Sequence, residues 1–221
     1  MTEPISPAQF QDGAGPDWRV IGDGSCAFYR IDSLAASGRL IDAIAALPGA
    51  GPGRPDVDVR RDGVTFRLVT YTDDYFGMSD ADVELARAIS ATAREHGLIA
   101  DPSVLQSTLI IPGAPVISEV VPFWRAVLGY EPRRDSPVED LVDPRDRGPA
   151  FWFESMDEPR PGGLGAIHVG IWVPPELAEE RVASALAAGG RMVRDEFAPS
   201  WWTLADAAGN EADIATAVGR D

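Results

Sequence analysis

Two strand-like stretches carry the residues best suited to chemistry. Residues 105–111 read LQSTLII and residues 167–173 read IHVGIWV. Each runs into proline or glycine and then a helical pattern, and each places a polar side chain second: Gln106 in one, His168 in the other. The chain has only two histidines, so one in a repeated strand stands out. An imidazole titrates near neutrality and is the commonest metal ligand, and a glutamine amide offers a neutral oxygen. At the same position of equivalent strands, a pseudo-two-fold axis would bring the two to matching places. Strand alternation puts Trp152 on the face of Glu154 and Trp172 on the face of His168. With Trp201 and Trp202 close by, these tryptophans would line an aromatic pocket or fill an ordinary core. The plain alternative for His168 is a hydrogen-bonded structural residue.

The elements that position them fall into two halves. In the first, DWRVIGDGSCAFYRI reads as two strands around a Gly-containing turn. SLAASGRLIDAIAAL follows, with Leu34, Leu40, Ile41, Ile44 and Leu47 at helical spacing. VDVRRDGVTFRLVT reads as a hairpin turning at Asp62-Gly63. SDADVELARAISATAREHG is a helix capped by Ser79, with Asp82 three residues on and Gly97 as its stop. The order β-β-α-β-β-α implies an antiparallel sheet with helices on one face. LIADPS at 98–103 reads as linker. Beyond it a unit of order β-α-β-β-β occurs twice. Asp143 and Asp206 fall at matching places, each before a Gly-containing loop and a last strand. Two such units packed together form a curved sheet around a central cavity. The boundaries expected are therefore a tail over 1–14, a domain over 15–98, a linker over 99–103 and a second domain over 104–217. The fold class is α+β.

Composition narrows the function. The chain has 221 residues, 45 % of them hydrophobic, and a formal charge of −16. So acidic a chain is not expected to bind nucleic acid or an anionic membrane, which need clustered Lys and Arg. Cys26 is the only cysteine, so an internal disulfide is ruled out and a reducing compartment fits. The N-terminus lacks a signal-peptide pattern and no apolar run approaches the ~18 residues of a membrane span, so a cytoplasmic protein is expected.

PFWRAVLGYEP, IHVGIWV and LADAAGNEADI carry a resemblance over residues ~104–217 to the vicinal oxygen chelate superfamily, which includes glyoxalase I, extradiol dioxygenases and bleomycin-resistance proteins. Trp18, the helix to Leu47, GRPDVDVRRDGVTFRLVT and MSDADVELARAI make residues ~15–98 resemble pterin carbinolamine dehydratase.

The first resemblance implies a small-molecule site that uses a divalent metal, with ligands from the first and last strand of each unit. Those places hold Gln106, Glu154, His168 and Asp213, with Glu211 competing for the last. Oxygen and imidazole ligands suit Zn, Ni, Mn, Fe or Co. Such a metal polarises a carbonyl or stabilises an enediolate while Glu154 or Asp213 moves the proton, as in a lyase, isomerase or dioxygenase. Trp152, Trp172 and Trp202 would bind the substrate. Many members have lost the metal and only sequester a ligand, which is the alternative reading.

The second resemblance implies acid–base catalysis by histidines of a His-His-Pro motif, and often a homodimer. Here the motif position reads Gly53-Arg54-Pro55 and the later histidine falls at or near Tyr71. The fold is expected to be inherited without the chemistry, so dehydration of 4a-hydroxytetrahydrobiopterin stands third. Arg54 would be solvated or hold an anion. His96, at a helix end, is expected to act only as a favourable C-terminal charge.

Overall fold

The computed structural model describes residues 3–22, 24–72, 75–156, 167–205 and 211–220, less the side chains of Phe123, Ala126, Val127, Ile167 and His168. The architecture is α+β, in two compact units. One comprises residues 1–71, 76–105 and 217–221, and the other residues 72–75 and 106–216.

In the N-terminal unit, β2 (Arg19–Ile21), β3 (Gly24–Arg30), β4 (Asp56–Arg60) and β5 (Gly63–Leu68) form an antiparallel sheet of order β2-β3-β5-β4. Alternation decides its buried face: Ala27 and Tyr29 of β3 and Val64, Phe66 and Leu68 of β5 turn to one side. Against them lie α1 (Pro7–Ala14), α2 (Leu34–Ala45) and α3 (Asp80–Glu95), which contribute Phe10, Leu40, Ile44, Leu85 and Ile89. Trp18 is wholly buried in this core and donates its indole N–H to Ala86 O and Ser90 Oγ, both at 3.1 Å.

Residues 4–14 are no tail. β1 (Pro4–Ile5) pairs with β7 (Phe76–Ser79), which also pairs with β6 (Thr70–Tyr71). α1 starts at a Ser6–Gln9 capping box with Pro7 in its first turn. Burial of Phe10 and Ala14 then holds it to the core. Residues 99–103 are also part of this unit. Tyr29 bridges Ala100, and Arg30 makes two charge-assisted bonds to Asp101 Oδ2, at 2.9 and 2.7 Å.

The C-terminal unit is the expected repeat. The first copy is β8 (Ser107–Ala114), α4 (Ile117–Leu128), β9 (Glu131–Arg133), β10 (Ser136–Val142), β11 (Ala150–Trp152) and β12 (Glu154–Ser155). The second is β13 (Ile167–Trp172), α5 (Pro175–Ala187), β14 (Arg191–Arg194), β15 (Trp201–Ala205) and β16 (Glu211–Ala215). α4 ends at Gly129, whose φ of 67° is the left-handed conformation that glycine adopts without steric cost.

One sheet joins both copies in the order β14-β15-β16-β13-β8-β11-β10-β9, with β12 also on β8. The two first strands, β8 and β13, meet antiparallel at the centre, and each lies parallel to the last strand of its own copy. Each helix covers its own half. Ile117, Val120, Val121 and Trp124 of α4 pack with Ile110, Leu141, Phe151 and Phe153. Ala178 and Val182 of α5 pack with Ile171, Val173, Leu204 and Ile214.

Candidate functional site

Because the helices take one face of the C-terminal sheet, the residues between the core positions face the other way. On β8 and β13 these are Leu109, Ile111, Gly170 and Trp172, and all four are buried. Trp152 joins them from β11, its ring meeting that of Trp172 edge-on at 6.2 Å and 72°. Asp140 lies opposite Trp152 in register. The Arg133 guanidinium sits over the Trp152 ring, 5.1 Å from its centroid. Arg133 forks onto Asp135, at 2.7 and 2.9 Å, and stands 3.6 Å from Asp140. Those bonds hold the Asp135 carboxyl below its ordinary range. Burial pushes that of Asp140 above it, against the pull of Arg133. The Trp152 Nε1 is buried and has no hydrogen-bond partner among the described residues.

The four residues expected as metal ligands are distributed over this sheet as follows. Gln106 lies just before β8, where its Oε1 accepts a 2.9 Å bond from Arg181 Nη1 on α5. His168 pairs through its backbone with Ile111, five residues further along β8, or about 17 Å at ~3.4 Å per residue. Its side chain lies outside the described ones. The cause of the separation is antiparallel pairing: residues equivalent by the repeat diverge along the strands as they leave the pseudo-two-fold axis. Glu154 is exposed on β12, opposite Gly113. Asp213 lies opposite Gly170 on one side and Thr203 on the other, and accepts a 2.7 Å bond from the buried Thr203 hydroxyl. Glu211 is two residues from Asp213 on the same strand, so the two share a face.

Among the described residues no group of three or more His, Cys, Asp or Glu is placed to hold a metal ion. With Gln106 held toward α5 and Asp213 bonded to Thr203, the described donors do not fit a four-ligand centre as they stand.

The tryptophans divide between the two faces. Trp202 lies opposite Ile214 and packs on the α5 side, away from Trp152 and Trp172. Trp201 pairs with Ala215, which pairs with Trp172, so Trp201 shares the helix-free face; its ring stacks on Phe197 at 4.2 Å. A one-residue shift of alternation distinguishes the pair, and two adjacent tryptophans give no sequence cue to it. Asp143 serves its own loop, since its carboxylate accepts from the backbone N–H of Arg145, Arg147 and Gly148 at 2.9–3.1 Å. These bonds, that of Arg145 foremost, hold its carboxyl below the ordinary range. Asp206, its expected counterpart, and the Gly209-Asn210 motif lie outside the described residues.

In the N-terminal unit, the place where the dehydratase resemblance implies histidines holds an ion pair. Arg54 Nη2 donates to Asp82 Oδ1 at 2.6 Å, and the Asp82 side chain is wholly buried. The other carboxylate oxygen accepts from Thr70 Oγ1, Ser79 Oγ and Ser79 N, at 2.7–2.8 Å. Arg54 is thus not the solvated side chain that the sequence suggested. The contact spans 28 residues, and no local pattern announces it. Gly53, with φ of 80°, occupies a left-handed conformation in which a histidine would be strained. Tyr71 is 42 % exposed and accepts a 3.3 Å bond from Arg67. His96 caps the C-terminus of α3, where the sequence placed it.

Known proteins resemble the two units separately. Residues 109–215 match the family described as the glyoxalase-like domain. A Nocardia farcinica protein provisionally named a pterin-4-alpha-carbinolamine dehydratase is 34 % identical over 79 residues, which are 36 % of this chain and 81 % of that protein. Among solved structures, a Legionella pneumophila NAD-dependent benzaldehyde dehydrogenase aligns over 49 % of this chain and 96 % of its own, at 14 % identity and a TM-score of 0.37. A Vibrio splendidus member of the glyoxalase/bleomycin resistance protein/dioxygenase superfamily aligns over 50 % and 97 %, at 16 % identity and a TM-score of 0.32. Neither structural likeness is close enough to bear on activity. The chain joins a unit of the pterin-4-alpha-carbinolamine dehydratase family to a C-terminal glyoxalase-like domain.

Proposed function

We propose that the glyoxalase-like unit binds a flat small molecule on the helix-free face of its sheet, at the corner formed by Trp152 and Trp172. The observation that carries this reading is that corner itself: two large rings at 72° beside an under-compensated carboxylate, Asp140, and a guanidinium, Arg133. Aromatic walls supply apolar contact and a few polar groups fix orientation, as in small-molecule sites generally. A thermal-shift screen of aromatic compounds tests it. Compounds that raise the melting temperature of the wild type should leave that of a Trp152→Ala, Trp172→Ala double variant unmoved. Equal shifts in both proteins sink the reading.

A metal-dependent lyase, isomerase or dioxygenase is the second reading, favoured by one observation. β13 and β16 run parallel with Val169 opposite Ala212, so the residues before these, His168 and Glu211, are neighbours along the backbone. With Glu154 they would offer an imidazole and two carboxylates to a divalent ion, a smaller set than the expected four, and such an ion would polarise a carbonyl. Elemental analysis of protein purified without chelators or an affinity tag decides it. A stoichiometric metal lost in His168→Ala supports it, and metal-free protein that still binds its compound removes it.

We further propose that the N-terminal unit does not dehydrate the carbinolamine of tetrahydrobiopterin, since Gly53 and Arg54 stand where that family has histidines and Arg54 is committed to Asp82. Turnover of the order of 1–10³ per second would overturn this.

A further inference from the structure

The indole N–H of Trp152 is a buried donor left unpaired among the described residues. Such a group loses its hydration on folding and regains nothing, so native proteins seldom leave one without a reason. Its surroundings narrow the reason. Trp172 stands edge-on to the ring. Ile111, opposite in register to His168, and Leu109, opposite Gly170, add apolar surface on the same face. Gly170 leaves its neighbours uncrowded: a Cβ there would come no closer than 3.4 Å to Leu109 or Ile111. The nearby charge is mainly negative, because Arg133 is engaged with Asp135 and stands by Asp140.

Resting on the reading that this face binds a flat molecule, we propose that Trp152 Nε1 is the donor that recognises a neutral carbonyl oxygen on the ligand. An uncharged N–H suits an uncharged acceptor. A carboxylate would meet Asp140 and Asp135 with Arg133 already taken, and like charges brought together disfavour binding. A plain hydrocarbon would leave the donor unpaired.

Three flat two-ring probes separate these cases: coumarin, with a neutral carbonyl; naphthalene, with no acceptor; and 2-naphthoate, with a carboxylate. Binding is followed by ligand-observed NMR on the full chain. Coumarin should bind more tightly than the other two. Trp152→Phe, which keeps a smaller ring but lacks the donor, should weaken coumarin by about 2–10-fold more than it weakens naphthalene, the worth of one neutral hydrogen bond. If Trp152→Phe does not fold, β-(3-benzothienyl)alanine at position 152 replaces the N–H by sulfur in a ring of nearly the same size. Coumarin bound equally with and without the N–H overturns the role of Nε1 while leaving the binding face in place. 2-Naphthoate binding most tightly overturns the neutral carbonyl. No binding of any probe to the wild type overturns both this inference and the reading beneath it.

Discussion

Asp82 in the N-terminal unit and Asp140 in the C-terminal unit are both withdrawn from solvent, with opposite outcomes. Asp82 is 0 % exposed and has a guanidinium at 2.6 Å, two hydroxyls and a backbone N–H. Asp140 is 14 % exposed, and its nearest cation, 3.6 Å away, is held closer by Asp135. Both oxygens of the first carboxylate are taken up in structure, although Arg54 Nε beside it is buried without a hydrogen-bond partner among the described residues. The second unit keeps a poorly compensated carboxylate next to an indole donor that has no partner among the described residues. Complete satisfaction stabilises a fold, and incomplete satisfaction beside aromatic rings marks where a ligand adds most. The contrast is why the function proposed for this chain rests on its glyoxalase-like half.

The largest effect is expected at Asp82. Asp82→Ala removes the partner of Arg54 and half of the capping box that starts α3. It also leaves the hydroxyls of Thr70 and Ser79 without their acceptor. Breaking a buried pair from one side costs about 3–5 kcal/mol, so the urea midpoint of the N-terminal unit should fall steeply. A change below about 1 kcal/mol, the worth of an exposed pair, would mean that the network is not the clamp described.

Leu141→Ala makes the matching test in the other unit. Leu141 is wholly buried with Val121, Phe151 and Phe153, under α4. Truncation there should cost about 2–5 kcal/mol through lost transfer energy and the cavity left behind. With Trp18 reporting the first unit and Trp152 and Trp172 the second, each variant is expected to move the transition of its own unit. If both variants shift one common transition equally, the two units unfold together and the comparison has to be made for the whole chain.

How far the sequence foretold this depends on the range of the interaction. The β-α-β-β-β repeat and the cap at Ser79–Asp82 follow from patterns within a few residues and are present; the hairpin is present too, but it turns at Arg61-Asp62, with Gly63 already in β5 and paired to Arg60. The start of α1 was equally legible as Ser6-Pro7-Ala8-Gln9, a capping box with proline at its first turn. What no local pattern shows is that the core needs this helix, which rests on the burial of Phe10 and Ala14. Contacts between distant segments were not legible. Arg54 finding Asp82, Gln106 finding Arg181 and Asp213 finding Thr203 each depend on tertiary placement. The repeat itself gave Gln106 and His168 equivalent positions, but not the antiparallel sense of β8 against β13, which sets their separation along the sheet. Of the tryptophans, Trp152 and Trp172 were legible as partners from alternation within single strands, while Trp201 and Trp202 were not separable without the register of β15.

The smallest effect is the most direct probe of the contrast between fully and weakly compensated carboxylates. Burial raises the pKa of Asp140 above its ordinary 3.8, so folding favours its protonated form. Its contribution is then fully present below that ordinary value and is lost as pH rises through the raised one. Asp140→Asn, which stays neutral, should match the wild type in acid and be slightly more stable than it near about pH 7. Asp135 has the opposite sign. The Arg133 bonds lower its pKa, so its contribution is present above the ordinary carboxylate value and lost as pH falls through the lowered one. Asp135→Asn should therefore be less stable than the wild type at neutral pH and converge with it in acid. Melting temperatures of the three proteins across this range should diverge in opposite directions as pH rises. If Asp140→Asn is instead destabilised at neutral pH, the attraction of Arg133 outweighs burial. Asp140 would then belong with Asp82 as a structural carboxylate, and the polar neighbour proposed for the Trp152–Trp172 corner would be lost.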